Sequence, residues 1–421
     1  LNEGGRWVNM EGNREQAGQG RRLLVAKGSF EALGGAERDL IRNLPALSEA
    51  FEVTVATLAP VPELEGVCSE LGVALLYPEK TWEMPVDSIS RILDSGASSA
   101  TKAWKSCSSL EDTIGDCEAV HLVSGDGSLE LLDMIPQETV VHFHLLEPHR
   151  GLHEDVLHME IDGSPKRSLR LTHGLLTKAR NADLRAVRKL AERPRSAISG
   201  NSNFTASRIV DIYGVDAGVL HPSVVTDEFP ELASANETMP NSFSGDYVVS
   251  VGRASWVKGT WETISMLGGT NLILAHVGGG DKDDLNRLSS HARNCGVELW
   301  IAPRLSSNEM AALMRGARAV VSMAHGEPFG LTPIEAFSVG TPALFVDEGG
   351  FRDSIVDGKN GRLLARDDIE GWHSNLEMVK DSTVREQWSK AGKEWISELG
   401  LSPENHCSRL LRILDSIHND E

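Results

Sequence analysis

The chain is poor in cysteine, in positive charge and in long apolar runs, and each shortage argues against a class of protein. The 5 cysteines in 421 residues include no CxxC pair, so neither a disulfide framework nor a cysteine zinc site is indicated. Lys and Arg number 41 against 61 Asp and Glu, and the formal charge of −20 argues against general nucleic-acid binding. No HExxH spacing occurs among the 14 histidines, which leaves a zinc hydrolase with little support.

Membrane-spanning segments and a leader are missing from the pattern as well. No apolar run approaches the roughly 18 residues that cross a bilayer. No basic segment followed by an apolar one opens the chain, so we expect a cytoplasmic protein, with peripheral contact at the inner face of a membrane left open. Residues 1–20 carry five glycines and few apolar side chains, and we interpret them as a disordered lead-in or a start-site artefact.

Short apolar runs alternate with helix-like stretches along the rest of the chain. Strands separated by helices predict βαβ units and a parallel sheet. The pattern pauses between about 223 and 246, a segment of Pro, Asn and Ser, and then restarts. The predicted strands are Leu23–Ala26, Phe51–Thr57, Ala119–Val123, Thr139–His144 and Ser196–Gly200 in the first half, and Tyr247–Val251, Leu272–Val277, Val297–Ile301, Ala319–Ser322 and Pro342–Val346 in the second.

This restart predicts two doubly wound α/β domains in series. We place them at residues 21–222 and 247–400, joined by a linker at 223–246. The stretch 401–421 has helix-like apolar spacing and is predicted to be a closing helix that could pack on either domain. Two such sheets facing each other would form a cleft at the carboxyl ends of their strands.

The most informative motif is His325–Ala336, which follows a predicted strand and opens a predicted helix. The free backbone amides of a first helical turn favour an anion, and the carboxylates of Glu327 and Glu335 flank that turn. Two structural interpretations stay open. Thr332–Glu335 fits a capping box with proline at the first helical position, and Glu327 could be a solvated loop acid.

A second motif follows the strand Tyr247–Val251 and contains Arg253 and Lys258. Doubly wound sheets bind ligands at the carboxyl ends of their strands, and an Arg fork with a Lys point charge suits a diphosphate there. A solvated surface pair is the alternative interpretation. Further along, Gly349 and Gly350 either permit backbone contact with a ligand or turn the chain.

Taken in order, these motifs resemble the retaining GT-B glycosyltransferases of family 4, which are glycosyl transferases of group 1. The resemblance covers roughly Arg21–Leu364, and the motif set is specific although no single member is. It rests on Gly34–Arg38, Asn201–Thr205 and Tyr213–Val215 in the first half, and on Gly252–Arg253, Lys258–Gly259, Gly278–Gly280, Glu327–Leu331, Glu335–Ala336, Gly340–Pro342, Gly349–Gly350, Asp357–Gly358 and Asn360–Gly361 in the second.

The resemblance implies a fold, a reaction and a set of donor-binding residues. The implied fold is GT-B, an α/β architecture of two facing Rossmann-like domains. The implied enzyme is a hexosyltransferase that needs no metal or cofactor and uses a UDP-, GDP- or ADP-sugar as donor. Arg253 and Lys258 would hold the donor diphosphate, and Glu335 would accept hydrogen bonds from the ribose hydroxyls. Glu327 would contact hydroxyls of the donor sugar, assisted by the backbone amides of Phe329, Gly330 and Leu331.

In the first domain the resemblance assigns two further positions. Gly35 would approach the donor diphosphate, and His144 would lie near the donor sugar and the reaction centre. His142 lies on the same strand face and is the second choice, while a structural role for a strand-end histidine stays open. The implied catalytic set is thus His144, Arg253, Lys258 and Glu327.

Three positions depart from the family pattern. The loop after the second strand of the second half reads Gly280-Asp281-Lys282 where the family tends to have a proline. Asp353 stands in place of a frequent glutamate, and Ser223 in place of a common second proline. These departures affect recognition of the base and the sugar more than the class of activity.

One local cluster of positive charge stands out against the acidic composition. Residues 166–195 contain ten Lys or Arg and only two acids, on a helix-like pattern. The stretch from Lys166 to Arg195 would suit an anionic membrane surface or a polyprenyl-phosphate acceptor. A solvated helix face, or one paired with acidic neighbours, is the alternative.

The expected partners are therefore a nucleotide-sugar donor and a glycan, lipid-linked or small-molecule acceptor, with no nucleic acid. Two other functions remain possible for the same architecture. One is a sugar-nucleotide epimerase or a phosphorylase, and the other is a non-catalytic protein that binds a nucleotide sugar.

Overall fold

The computed structural model describes residues 20–84, 95–224 and 238–419. The predicted lead-in therefore lies outside the described residues apart from Gly20, and so does the part of the predicted linker between residues 225 and 237.

The first sheet has seven strands in the order β3-β2-β1-β4-β5-β6-β7. The pairs from β3 through β6 are all parallel. Its six strands from β3 to β6 follow the Rossmann order, in which the direction of winding reverses between β1 and β4. The strands are β1 (Arg22–Ser29), β2 (Glu52–Ala59), β3 (Ala74–Leu76), β4 (Ala119–Val123), β5 (Val140–His144), β6 (Ser196–Gly200) and β7 (Gly218–Val219).

The second sheet repeats this order with six parallel strands, β10-β9-β8-β11-β12-β13. Its reversal point lies between β8 and β11, where Val249 pairs with Val320. The strands are β8 (Tyr247–Val251), β9 (Ile273–Val277), β10 (Leu299–Ile301), β11 (Val320–Ser322), β12 (Ala343–Val346) and β13 (Arg362–Leu364).

Helices connect successive strands of both sheets. The α-helices are α1 (Gly35–Ala50), α2 (Pro62–Leu71), α3 (Ser95–Ser106), α4 (Leu110–Asp116), α5 (Arg150–His153), α6 (Leu169–Ala191), α7 (Asn203–Tyr213), α8 (Thr260–Leu267), α9 (Lys282–Cys295), α10 (Ser307–Gly316), α11 (Leu331–Ser338), α12 (Phe351–Ser354), α13 (Ile369–Met378), α14 (Ser382–Leu399) and α15 (Pro403–Asn419). Short 3₁₀ helices occur at Leu129–Met134, Val156–His158 and Trp256–Lys258. Within the described part of the chain, no helix is long and apolar enough to cross a membrane.

The ten strands predicted from the sequence are confirmed, with ends that differ by up to three residues. Helices cover both faces of a parallel sheet, and strands buried on both faces read as continuous apolar runs. All residues of β4, β5, β9 and β12 are buried, which is why periodicity detected them. The strands β3, β7 and β13 contain only two or three residues, and the sequence did not predict them.

The described residues fall into two compact units that are interleaved along the chain. Of the residues that the structure describes, the first unit comprises 20–84, 95–145, 186–199 and 403–419, and the second comprises 146–185, 200–224 and 238–402. The units are defined by contacts between residues, so they need not be continuous in the sequence. The continuous domains at 21–222 and 247–400 stay a prediction. The predicted closing helix is present as α15 and packs in the first unit, against α1 and β5.

Local signals explain where individual helices begin. Asp281 is the N-cap of α9, and its carboxylate accepts the backbone N–H of Asp283 at 2.9 Å. Asp281 and Asp283 therefore lie at the start of a helix.

Candidate functional site

Two loops of the second unit meet at the reversal point of its sheet. Because β8 and β11 are neighbours, the loops that follow them leave the same edge of the sheet, where doubly wound folds bind ligands. Lys258 follows β8 in a 3₁₀ turn, and Glu327 follows β11. Lys258 Nζ lies 2.7 Å from Glu327 Oε2, with both side chains partly buried. The structure thus brings together two of the residues predicted to bind the donor.

The turn that presents Lys258 is pressed against the loop after β11. Gly259 has φ +63°, and a Cβ at this position would lie 1.9 Å from the carbonyl oxygen of Met323. The backbone N–H of His325 donates to the carbonyl of Val257 at 2.8 Å. Only glycine fits this close approach, so Gly259 fixes the position of Lys258 relative to the loop that carries Glu327.

The paired glycines predicted to touch a ligand or turn the chain contact protein backbone instead. The N–H of Gly350 donates to the carbonyl of Glu327 at 2.6 Å. Gly349 has φ +62°, and an added Cβ would lie 2.6 Å from the same carbonyl oxygen. These two glycines therefore support the main chain of Glu327 from behind.

Helix α11 begins earlier than the sequence predicts, and the capping box at Thr332–Glu335 is wrong. The helix begins at Leu331, after Gly330 in a left-handed conformation with φ 84°, and no side chain caps it. A Cβ at Gly330 would lie 2.5 Å from the ring of Phe351, so packing places the glycine at the N-cap. Pro333 is consequently the third helical residue, and Glu335 lies half-buried in the second turn.

The first turn of α11 presents backbone amides next to Glu327. Leu331 and Thr332 are the first two residues of the helix and carry N–H groups that have no acceptor within the helix itself. The buried Phe329 and the left-handed Gly330 connect this turn to Glu327. A partial positive charge at a helix N-terminus favours negative charge in front of it.

Arg253 lies at the carboxyl end of β8, on the same loop as Lys258. Its side chain is exposed, and no ion pair of this guanidinium occurs among the described residues. The preceding Gly252 has φ +141° and packs against the side chain of Lys258, at 3.1 Å from an added Cβ. Arg253 and Lys258 therefore come from one short loop, one side chain open to solvent and the other paired with Glu327.

Residues far away in the sequence hold the loop after β11 in place. Arg150 Nη2 donates to the carbonyl oxygen of His325 at 2.7 Å. The hydroxyl of Ser202 donates to the carbonyl of Pro328, and Thr205 Oγ1 does so at 3.3 Å. All of these residues belong to the second unit. Because carbonyls of this loop are satisfied from two other segments, the loop is fixed on both sides of Glu327.

A chain of charged groups continues behind His325. Its Nε2 lies 2.7 Å from Glu262 Oε2, and the other oxygen of Glu262 pairs with Arg366 at 3.0 Å. Arg366 also binds Glu348 through two nitrogens, at 3.0 and 2.8 Å. The ring of Trp256 stacks on His325 with centroids 4.7 Å apart. This network ties the loop to Glu262 and, through it, to Arg366 and Glu348.

Glu147 is a candidate site residue that the sequence reasoning missed. Loss of hydration among surrounding protein atoms raises the pKa of Glu147, and the neighbouring carboxylate of Glu327 adds to the rise, while the positive charges of Arg150 and Lys258 oppose it. The residue is nevertheless exposed at the surface, so only part of it is shielded from water. The available signal was an acid just past the end of a predicted strand, three residues after His144.

Asp353, one of the departures from the family pattern, is engaged by the protein. Its Oδ2 accepts the backbone N–H of Asn203 at 2.7 Å and the side-chain amide of the same residue at 3.0 Å. His221 Nε2 lies 3.3 Å from the same oxygen. In this structure Asp353 serves to tie α12 to the start of α7 within the second unit.

In the first unit, Gly35 opens helix α1 and has free space in front of it. A Cβ at Gly35 would meet nothing within 4 Å. A buried ion pair that the sequence did not reveal supports this turn: Lys27 Nζ lies 3.2 Å from Glu37 Oε1 and donates to the carbonyl of Ser124 at 2.6 Å. The other oxygen of Glu37 accepts the N–H of Gly34 at 2.7 Å. Lys27 and Glu37 thus fix the glycine turn that carries Gly35.

His144, the last residue of β5, is buried in a stack of four histidines in the first unit. The ring centroids of His144 lie 6.0 Å from His121, 6.1 Å from His142 and 6.0 Å from His406. All four residues are buried. His406 comes from the closing helix α15, so this helix contributes directly to the surroundings of the predicted catalytic histidine.

Both ring nitrogens of His142 are occupied by protein atoms. Its Nδ1 lies 2.9 Å from Nδ1 of His121, and its Nε2 lies 3.0 Å from Oγ of Ser199. One of the two facing Nδ1 atoms must carry the shared proton. Burial, together with charge repulsion from its neighbours, lowers the pKa of His142 well below the ordinary value, and the same holds for His121. This geometry favours a structural role for His142.

The histidine stack has no arrangement of converging ligands. Among the described residues, no group of three or more His, Cys, Asp or Glu side chains is placed to hold a metal ion. His121 and His142 lie face to face, parallel to within 6°, whereas the rings of His144 and His406 are tilted by 49° to each other.

Part of the second half of the chain is similar to a known family. Residues 241–395 match the family Glycosyl transferases group 1. The chain is 27% identical over 188 residues to the D-inositol 3-phosphate glycosyltransferase of Mycolicibacterium paratuberculosis. The aligned residues make up 42% of each chain. This chain spans about half the length of the curated relatives it matches.

Solved structures match nearly the whole chain at low identity and therefore bear on the fold. Sucrose-phosphate synthase from Thermosynechococcus elongatus has a TM-score of 0.69 at 15% identity, covering 95% of this chain and 100% of that one. HepE of Anabaena in complex with UDP and glucose has a TM-score of 0.63 at 15% identity, covering 94% and 100%. The fold is thus of the GT-B type with two Rossmann-like domains, and residues 241–395 are similar to the glycosyl transferases of group 1.

Proposed function

We propose that the chain is a retaining glycosyltransferase that moves a hexose from a nucleotide-diphosphate sugar to a hydroxyl of an acceptor. The observation that carries the proposal is the pairing of Lys258 with Glu327 at 2.7 Å, at the reversal point of the second sheet. A cation suited to phosphate and a carboxylate suited to sugar hydroxyls are held side by side there. The similarity to group 1 supports the class of reaction.

The proposed chemistry uses fixed positive charge at the leaving group. The bond between the anomeric carbon and the diphosphate oxygen breaks, and its electron pair goes to the diphosphate. The acceptor oxygen bonds to the same face of the anomeric carbon, and its proton passes to the departing phosphate. Lys258, Arg253 and the first amides of α11 stabilise the charge that develops on the diphosphate.

The carboxylates of the second unit take the hydroxyl-binding roles. Glu327 accepts hydrogen bonds from hydroxyls of the donor sugar, next to the amides of Phe329, Gly330 and Leu331. Glu335 accepts hydrogen bonds from the ribose, from its place in the second turn of α11. Glu147 joins this group as a carboxylate close to Lys258 and Glu327.

The first unit supplies two further contacts in the proposal. Gly35 approaches the diphosphate, which the space in front of it permits. His144 lies near the anomeric carbon, on the strand end that the histidine stack fixes. His142 is kept as a support for His144, because its own ring nitrogens are bound by protein atoms.

The proposed donor is a UDP-, GDP- or ADP-sugar, used without a metal or other cofactor. Arg253, Lys258 and the α11 amides take the charge-neutralising role that a divalent cation has in other enzymes. A relative of similar fold binds UDP and glucose, which makes UDP-glucose the first donor to test. We propose a glycan, a lipid-linked sugar or a small polyol as acceptor, and a cytoplasmic location with peripheral membrane contact.

The proposal is tested by a thermal-shift and transfer screen with UDP-, GDP- and ADP-sugars on the full chain. A bound donor raises the melting temperature, and product is followed with glucans, inositol phosphate and lipid-linked sugars as acceptors. Lys258→Met and Glu335→Gln should each abolish the shift. Lys390→Met, an exposed residue on α14, is the matched control and should leave it unchanged.

The same screen separates the alternative functions. An epimerase would interconvert sugars on the nucleotide, whereas a phosphorylase would release a sugar phosphate and show the absorbance of bound pyridoxal phosphate. A non-catalytic binding protein would give the thermal shift without turnover for any acceptor. Any of these results would contradict the proposed transferase.

A further inference from the structure

The amino-terminal half of helix α6 carries exposed leucines in a region without acids. Leu171 is 58% exposed and Leu175 is 37% exposed. Between residues 166 and 182 there are five Lys or Arg and no Asp or Glu. Large exposed apolar side chains grouped in this way mark interaction surfaces.

The orientation of α6 is fixed by bonds on its inner face. His173 Nε2 lies 2.6 Å from Asp155 Oδ1, and Arg180 Nε donates to the carbonyl of Leu152 at 2.7 Å. Helical spacing places Leu171, Leu175 and Lys178 on the side of the helix opposite to these two residues. The leucines therefore face away from the segment against which α6 packs.

Positive charge surrounds the leucines. Arg167 and Arg170 are exposed, and no ion pair of either occurs in the described part of the chain. We call the set Arg167, Arg170, Leu171, Leu175 and Lys178 the α6 surface; all of its members belong to the second unit.

We propose that the α6 surface docks on an anionic phospholipid bilayer. Leucine side chains enter the boundary between headgroups and acyl chains, while Lys and Arg contact the phosphates. A soluble polyanion would leave the leucines in water, and a second copy would bring two positive surfaces together in a chain of charge −20. The combination of apolar and positive side chains suits a lipid surface better than either.

The α6 surface covers only part of the stretch 166–195, which the sequence predicted to contact a membrane. The carboxyl-terminal part of that stretch is used within the protein: Arg193 donates to the carbonyls of Ile135 and Pro136, and Lys189 pairs with Asp133 at 2.7 Å. The membrane contact thus falls on the amino-terminal half of α6. It does not depend on the proposed transferase activity, because the test needs no donor.

The test is co-sedimentation of the full chain with vesicles of phosphatidylcholine, with and without phosphatidylglycerol. We expect binding to the anionic vesicles only, weakened when NaCl is raised from about 0.1 M to about 1 M. The variants Leu171→Ser/Leu175→Ser and Arg167→Gln/Arg170→Gln should each lower the partition coefficient at least about tenfold. The matched control Val210→Ser/Lys390→Gln, which changes an exposed apolar residue and an exposed cation elsewhere, should bind like the wild type.

Melting temperatures and circular dichroism of the variants verify that they fold. The proposal is overturned if anionic vesicles do not bind the wild type, or if both α6 variants bind as well as the control. It is also overturned if heparin binds the wild type and vesicles do not. A dimer by light scattering that Leu171→Ser/Leu175→Ser dissociates, without vesicle binding, would assign the surface to self-association.

Discussion

Lys258 and Glu327 form an ion pair whose two members have different proposed ligands. The lysine is proposed to bind diphosphate and the glutamate to bind sugar hydroxyls, so the 2.7 Å contact fixes the distance between these two functions. The pair is partly exposed, and such pairs contribute little to stability, about 0–1 kcal/mol. Its importance is therefore expected in turnover and not in folding.

We predict that Lys258→Met lowers kcat/KM for the donor by about 10³-fold, because it removes a charge that stabilises the leaving diphosphate. The melting temperature should change little. Steady-state kinetics measure the effect, and Lys390→Met is the control on an exposed lysine paired with Glu394. A loss of less than about threefold would remove Lys258 from the proposed machinery.

Glu147 gives a prediction about pH. Its pKa is raised in the folded protein, so its stabilising contribution is present below the pKa of the unfolded state and is lost as pH rises through the folded pKa. Glu147→Gln, which mimics the protonated form, should therefore raise the melting temperature near pH 7.5 more than near pH 4.5. Thermal unfolding at both pH values measures this, and an equal or opposite effect at pH 7.5 would contradict the assigned environment.

Individual site residues were predictable where a motif marks the end of a strand. Lys258 and Glu327 stand in glycine-containing loops after apolar runs, so their residue types and positions predicted a ligand site. Arg150, Lys27 and Glu147 were not predictable, because their roles depend on partners that are distant in the sequence. Arg150, for example, bonds to the carbonyl of His325, 175 residues further along the chain.

At the scale of loops and helices, the glycine pair behind Glu327 allows a matched comparison. A Cβ at Gly349 would lie 2.6 Å from the carbonyl oxygen of Glu327, whereas one at Gly358 would meet nothing within 4 Å, and both residues have positive φ. We predict that Gly358→Ala lowers the free energy of unfolding by about 1 kcal/mol, from backbone strain alone.

Gly349→Ala should lower the free energy of unfolding by at least about 2 kcal/mol more than Gly358→Ala does, because the backbone of the Glu327 loop must also move. It should in addition lower donor affinity, which Gly358→Ala leaves unchanged. Urea unfolding and donor titration measure the two effects. Equal destabilisation by both substitutions would mean that the loop adapts freely and is not held by the glycine pair.

The histidine stack of the first unit makes its stability sensitive to acid. His121 and His142 have pKa values far below that of an unfolded histidine, so the unfolded chain takes up protons that the folded chain refuses. Stability is then lost as pH falls through about 6.5, by about 1.4 kcal/mol per pH unit for each of the two residues.

We predict that His121→Gln/His142→Gln flattens the fall in melting temperature between about pH 7 and pH 5. His418→Gln, a change at an exposed histidine outside the stack, should leave the slope of the wild type unchanged. If the double variant does not fold, the slope of the wild type still tests the account. A melting temperature that does not change with pH would contradict it.

Elements with strong local signals were predictable, and those set by tertiary packing were not. The ten predicted strands followed from their apolar runs, as in β4 and β5, where every residue is buried. The start of α11 did not follow, since Thr332 and Pro333 indicate a capping box while the ring of Phe351 places Gly330 at the N-cap. The two residues of β7 are too few to show a period.

In the whole molecule, segments that follow one another in the sequence do not always belong to the same compact unit. The sequence predicted two successive domains, and by contacts residues 146–185 and 200–224 belong to the second unit while α15 packs in the first. Composition and periodicity identify elements along the chain, but only contacts between distant segments determine which unit an element joins. The fold type was therefore predictable from the sequence, and the linear domain boundaries stay a prediction.

The central claim is that the loops after β8 and β11 bind a nucleotide-diphosphate sugar. A thermal-shift titration of the full chain with UDP-, GDP- and ADP-sugars tests it most directly. We expect at least one donor to raise the melting temperature of the wild type and of Lys390→Met, and we expect the shift to disappear in Lys258→Met. No shift with any donor, or an undiminished shift in Lys258→Met, would contradict it.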